Sequence, residues 1–147
     1  MMHGTREVFD YVECGDCGTV QIVDIPPADV MARHYPKDYY SFNPRGQNGL
    51  ARWLATQRDR HVLRLSSVGG GLIALTRPEP LLNVLSAAGI APSQRILDVG
   101  CGAGLLLDRL ARAGFSALMG ADPFIEADSR TSAGVPVQKR YLHEVAG

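Results

Sequence analysis

The stretch RILDVGCGAG, Arg95 to Gly104, constrains the fold more than any other part of the chain. A short apolar run from Ile96 to Val99 carries a carboxylate at Asp98 and passes directly into Gly100, Gly102 and Gly104. The helix-period segment GLLLDRLARAG follows at once and closes on Gly114. Glycines in such a turn adopt φ > 0 and let a ligand come close to the main chain. The helix that follows points its unbonded N–H groups at the same spot. A strand ending in this loop and feeding a helix opens a parallel α/β unit, with its ligand at the carboxyl end of the strands.

The rest of the C-terminal region keeps that rhythm. Strands are predicted near 94–99, 117–121 and 136–140, with FIEADSRTSAG between the last two as a helix or turn region and YLHEVAG as a final half-helix. Connections this short imply right-handed βαβ units and a parallel sheet. Upstream, VFDYVE and TVQIVDI alternate apolar and polar residues and predict a β-hairpin to about Asp24, turning at CGDCG. PPADVMARHY reads as a short helix and PKDYYSFNPRGQNG as a loop. Helical spacing runs from Leu50 to about Val68, with Leu50, Trp53, Leu54, His61, Leu65 and Val68 on one face and Arg52, Gln57, Arg58 and Arg60 on others. Gly69, Gly70 and Gly71 should stop that helix, GLIALTRP could resume it, and PEPLLNVLSAAG is a further helix with Pro80 in its first turn and Gly89 at its end. The expected organisation is therefore a hairpin and aromatic loop over 1–45, a helical linker over 46–92 and a parallel α/β domain over 93–147.

Charge bounds the partners. Lys plus Arg and Asp plus Glu balance at 15 each, so no nucleic-acid or anionic membrane partner is expected. No apolar run approaches the roughly 20 residues that span a bilayer. The N-terminus lacks a basic and apolar leader, and a cytoplasmic location is the expectation.

The loop itself narrows the ligand. A dinucleotide fingerprint wants a sixth-position glycine where this chain has Leu105, which disfavours an NAD-type oxidoreductase, and no Gly-Lys-Ser/Thr follows that would make a phosphate-binding P-loop. Asp122 ends the second strand, 22 positions after Gly100, where an acid can accept hydrogen bonds from both hydroxyls of a ribose. ILDVGCGAG resembles the first motif of the class I S-adenosylmethionine-dependent methyltransferases, and MGADPF resembles the end of their second strand. The resemblance implies that Gly100, Cys101, Gly102 and Gly104 shape the loop under the cofactor. It also implies that Asp98 orders that loop and the nearby amino group, that Asp122 holds the ribose, and that Pro123 or Phe124 lies beside the adenine. Cys101 is not expected to be a nucleophile, since any small residue fits between those glycines and no histidine is near in sequence.

Cys14 and Cys17 form a C-x-x-C in the hairpin turn, each followed by glycine, as in one knuckle of a zinc site. Some methyltransferases of this class carry an N-terminal zinc ribbon followed by a segment that HYPKDYYSF, His34 to Phe42, resembles. In those the second cysteine pair lies upstream, so the site is half a site here. Three readings stay open: free thiols, zinc shared with His3, His34 or a second chain, and a redox-active pair. The resemblance also implies a Rossmann-like fold with a seven-stranded sheet, of which this sequence holds the first three parallel strands, in the order 3-2-1, so that 93–147 would be a partial S-adenosylmethionine-binding domain. The expectation is a truncated chain carrying mainly the cofactor-binding half, with self-association or a homodimer through the open edge of the first strand. Methyl transfer to a small-molecule or sugar-like acceptor is the expected activity, and a non-catalytic cofactor-binding or assembly module is the alternative. Catalytic residues are not assigned: His143 and Glu144 read as surface residues, and Tyr39, Tyr40 and Phe42 as packing residues that could line an acceptor pocket.

Overall fold

A computed structural model of the chain describes residues 7–34 and 49–145. These fall into two compact units, Met1–Tyr39 and Tyr40–Gly147. The aromatic loop with Tyr39, Tyr40 and Phe42, and also His3, lies outside the described residues.

In the first unit, β1 (Tyr11–Glu13) and β2 (Val20–Ile22) pair antiparallel with Val12 opposite Gln21. The turn closes through Gly18 N–H donating to the Cys14 carbonyl and Cys14 N–H donating to that of Thr19. Gly18 has φ +70°, a conformation that favours glycine. Helix α1 (Ala28–His34) follows. Tyr11, Val12 and Val20 are exposed, so the hairpin has no core of its own. Two strands alone are marginal in water.

In the second unit, helices α2 (Gly49–Val62), α3 (Gly70–Thr76) and α4 (Pro80–Ala87) precede the sheet, and α5 (Leu105–Ala113) lies within it in sequence. Strand β3 (Ile96–Val99) pairs parallel with β4 (Leu118–Ala121), which pairs parallel with β6 (Pro136–Gln138). The order β3-β4-β6 matches the expected run of parallel strands. One crossover takes the turn form that the sequence left open, with a short strand added. Between β4 and β6 there is no helix but a short strand, β5 (Ser129–Arg130), antiparallel to β6. The segment has no helical apolar period, and its polar groups close a turn instead. Thr131 N–H donates to the Val135 carbonyl, Gly134 takes φ +87°, and the Asp108 carboxylate of α5 accepts from Ser132 Oγ and Ala133 N–H. YLHEVAG forms only a short 3-10 turn, Leu142–Glu144.

The core gathers where α5 meets the sheet. Leu107, Leu110 and Ala113 face Leu63, Leu82, Phe115, Leu118 and Val135. Full burial of a leucine such as Leu82 or Leu107 contributes roughly 1.5–3 kcal/mol. The helices of residues 49–87 thus belong to the same compact body as the sheet.

Helix α2 corrects two expectations. It ends at Val62, well before the glycines, because Leu63 and Leu65 turn into the core. Helix α3, opened by Gly70, is the brief resumption that GLIALTRP suggested. The buried face of α2 is also not the apolar one. Leu50, Trp53 and Leu54 are exposed, whereas Arg58 and Asp59 are buried. Asp59 accepts from Arg58 Nε and Nη2 and from Arg109 Nε and Nη2 at 2.8–3.0 Å. Glu79 closes the group with ion pairs of 3.0 Å to both arginines.

Candidate ligand site at the glycine loop

Strand β3 delivers its carboxyl end to the edge of the described sheet. Gly100 N–H still donates to the Ala121 carbonyl at 2.8 Å, and then the chain leaves the ladder. Gly100, Gly102 and Gly104 take φ of +76°, +54° and +75°. The three are not equivalent. A side chain on Gly104 would meet Thr131 Cγ2 at 2.7 Å and Val137 Cγ2 at 2.9 Å, so this glycine serves packing against the far strands. Gly100 faces open space, with nothing within 4 Å of where a Cβ would stand. The bare backbone that a ligand can approach is therefore at Gly100. Gly120, which the sequence did not single out, lets Cys101 and Leu107 cross β4: a Cβ there would lie 2.5 Å from Cys101 Sγ and 2.8 Å from Leu107 Cδ1.

The two acids divide their work differently from the sequence expectation. Asp122 is 5% exposed, and its carboxylate is tied to the backbone. One oxygen accepts from Gly102 N–H and the other from Phe124 N–H, both at 2.8 Å. It is Asp122 that orders the loop. Asp98 is half-buried, and its carboxylate has no hydrogen-bond or ion-pair partner among the described residues. Burial pushes the Asp98 carboxyl above the ordinary carboxylate range, and the neighbouring Asp122 charge adds to the shift. No lysine or arginine among the described residues pairs with either acid. Two like charges, partly desolvated and without a counter-cation, make a setting that favours a positively charged ligand group.

Cys101 lies inside this field. Burial first, then the charges of Asp98 and Asp122, pushes its thiol up to about 12. A thiol held protonated is a poor nucleophile. Pro123 and Phe124 are half-buried directly after Asp122. His143 and Glu144 sit on the exposed 3-10 turn, where Glu144 Oε2 accepts from Tyr141 N–H at 2.8 Å.

Cys14 and Cys17 are exposed and unbridged at the hairpin turn. Hydrogen bonding to Thr19, whose Oγ1 is 3.2 Å from Cys17 Sγ, pulls the Cys17 thiol below its ordinary value. His34, a suggested co-ligand, has Nε2 2.6 Å from Glu7 Oε2 and packs edge-on against Phe9. No group of three potential metal ligands occurs among the described residues. A thiol-labelling time course should therefore show two fast cysteines in the native chain at mildly alkaline pH, with the third reacting only on unfolding. Fast labelling of Cys101 in the native chain would contradict the half-buried, protonated assignment.

No family model, curated protein or solved structure matches the chain. No helix among the described residues is long and apolar enough to cross a membrane.

Proposed function

We propose that the chain folds as a Rossmann-like domain of the class I methyltransferase type. On this reading it binds S-adenosylmethionine at the glycine loop and serves methyl transfer to a small-molecule acceptor. The observation that carries the reading is the pair of acids over the loop with no counter-cation among the described residues. S-adenosylmethionine brings an ammonium and a sulfonium, which suit that field. The pyrophosphate of a dinucleotide would bring two negative charges against two carboxylates. When bound, the cofactor supplies an electrophilic methyl group.

The chain's own residues bind and orient. Gly100 leaves the backbone open to the ligand. Asp98 is the carboxylate available to a ligand cation. Asp122 fixes the loop, and each of its oxygens keeps a further lone pair that can accept a ribose hydroxyl. Phe124 and Pro123 stand beside it as an apolar wall for a base. Methyl transfer needs the acceptor held in line more than it needs a general base. A second reading, a cofactor-binding or assembly module without turnover, is favoured by one observation. Strand β3 pairs on one side only among the described residues, and Leu97 and Val99 beside the loop are 40% and 51% exposed.

Asp98→Asn tests the charge argument with two opposite effects. The folded chain holds the Asp98 proton more tightly than the unfolded chain does. Stability therefore falls as pH rises from the ordinary carboxylate value of 3.8 to the raised folded value, and ionised Asp98 remains a cost at neutral pH. The variant should melt higher than the parent at pH 7, with the gap closing in acid. Its affinity for S-adenosylmethionine should fall roughly tenfold or more, the scale of a hydrogen bond to a charged group. Unchanged affinity, read by calorimetric titration, would sink the assignment of Asp98 to the ligand.

A further inference from the structure

The ends of the helices carry a feature that the glycine-loop site does not use. Three helices end in the same motif. After α4, Gly89 N–H donates to the Ser86 carbonyl and Ile90 N–H to that of Leu85. After α5, Gly114 N–H donates to the Ala111 carbonyl and Phe115 N–H to that of Leu110. After α2, Arg64 N–H donates to the His61 carbonyl and Leu65 N–H to that of Arg60. This double bond pattern places one residue in the left-handed region, where glycine is the usual occupant. Gly89 and Gly114 obey, at φ +71° and +116°. The third position holds Arg64 at φ +59°, the one non-glycine residue with positive φ among those described. A strained arginine where glycine would serve the backbone better is a pointer to function.

The same residue lines an open pocket of about 360 Å³ between α2, α3 and α4, in which Arg64, His61 and Asn83 are exposed to solvent. That volume is within the range of small-molecule sites. His61, Glu79, Asn83 and Ser86 supply its other polar groups, and Val62 part of its apolar wall. The His61 ring is pressed against α3, since a Cβ on Gly71 would lie 3.1 Å from its Cε1. Neither the His61 ring nor the Arg64 guanidinium has a hydrogen-bond or ion-pair partner among the described residues. Glu79 is not a counter-charge for them, because it is held by Arg58 and Arg109 at 3.0 Å. Those two arginines are balanced by Asp59 and Glu79, which leaves the Arg64 charge in excess.

We propose that this cavity binds a small anion bearing a phosphate or carboxylate group, with the Arg64 guanidinium and a His61 ring N–H as donors and Asn83 and Ser86 completing the hydrogen bonds. The proposal does not depend on what the glycine loop binds.

The test is an NMR titration of the full ¹⁵N-labelled chain with inorganic phosphate and, separately, with citrate, each against sodium chloride at equal ionic strength. Saturable shifts at the Arg64, Gly71, Asn83 and Ser86 amides are expected. Saturation by phosphate alone assigns a phosphate ligand, and saturation by citrate alone a carboxylate. Arg64→Gly should keep or raise the melting temperature, because glycine suits the backbone there, while affinity falls at least tenfold. Arg64→Asn, which also tolerates the left-handed region, should lose affinity likewise. Shifts that grow linearly and match those of chloride would overturn the proposal, as would parental affinity in both variants.

Discussion

Asp59→Ala is expected to destabilise the chain by about 3–5 kcal/mol, the scale for removing one partner of a buried ion pair. Asp59 is 2% exposed and accepts four hydrogen bonds from two arginines. Without it, Arg58 stays buried on α2 with only Glu79, and Arg109 on α5 loses the carboxylate that fastens α5 to α2. A domain of this size has about 5–15 kcal/mol in total, so the variant should lose a large share of its stability and unfold at clearly lower urea than the parent. Glu79→Gln should cost less, because Glu79 is more exposed and Asp59 continues to hold both guanidinium groups. Urea titrations of both variants read the difference. Equal midpoints for Asp59→Ala and the parent would show that the quartet does not fasten the helices.

Asp122→Ala is expected to act on stability and on the ligand site together. It removes the acceptor for the N–H groups of Gly102 and Phe124, and Gly102 is buried. An unsatisfied buried donor costs about 1–3 kcal/mol, so a loss of about 2–4 kcal/mol is expected, softened by relief of the repulsion with Asp98. That relief is separately measurable, since the Asp98 carboxyl should titrate closer to the ordinary carboxylate range in the variant. On the proposed reading, affinity for S-adenosylmethionine should then fall by about a hundredfold or more, equivalent to roughly 3 kcal/mol, because the loop is released. Carboxyl titration by NMR and chemical denaturation check the two halves. A variant with parental stability and an unmoved Asp98 would contradict the role of Asp122 as the residue that orders the loop.

Local chemistry made much of the second unit legible. The apolar run before Gly100, the period of Leu107 and Leu110 closed by Gly114, and Pro80 opening α4 are short-range signals, and each element stands close to where they place it. What could not be read depended on residues far apart in sequence. Arg58 and Asp59 look like the solvated face of a helix until Arg109, fifty positions on, and Glu79 come to meet them. Strand β5 is two residues long and exists through its pairing with β6 and the hold of Asp108 on the turn. The division of work between the acids was hidden for the same reason. Asp98 precedes the glycines and looks like the loop's organiser, but the carboxylate that accepts from Gly102 N–H is that of Asp122, twenty positions later. Arg64 gave no local sign at all, because a left-handed helix end is ordinarily read from a glycine.

The most direct measurement is a pair of calorimetric titrations of the folded chain at pH 7, one with S-adenosylmethionine and one with NAD, repeated in Asp98→Asn. The charge argument predicts saturable binding of S-adenosylmethionine, weakened by the substitution, and no comparable binding of NAD. Preferential binding of NAD, or S-adenosylmethionine binding indifferent to Asp98, would contradict a site built to hold a cation over the glycine loop.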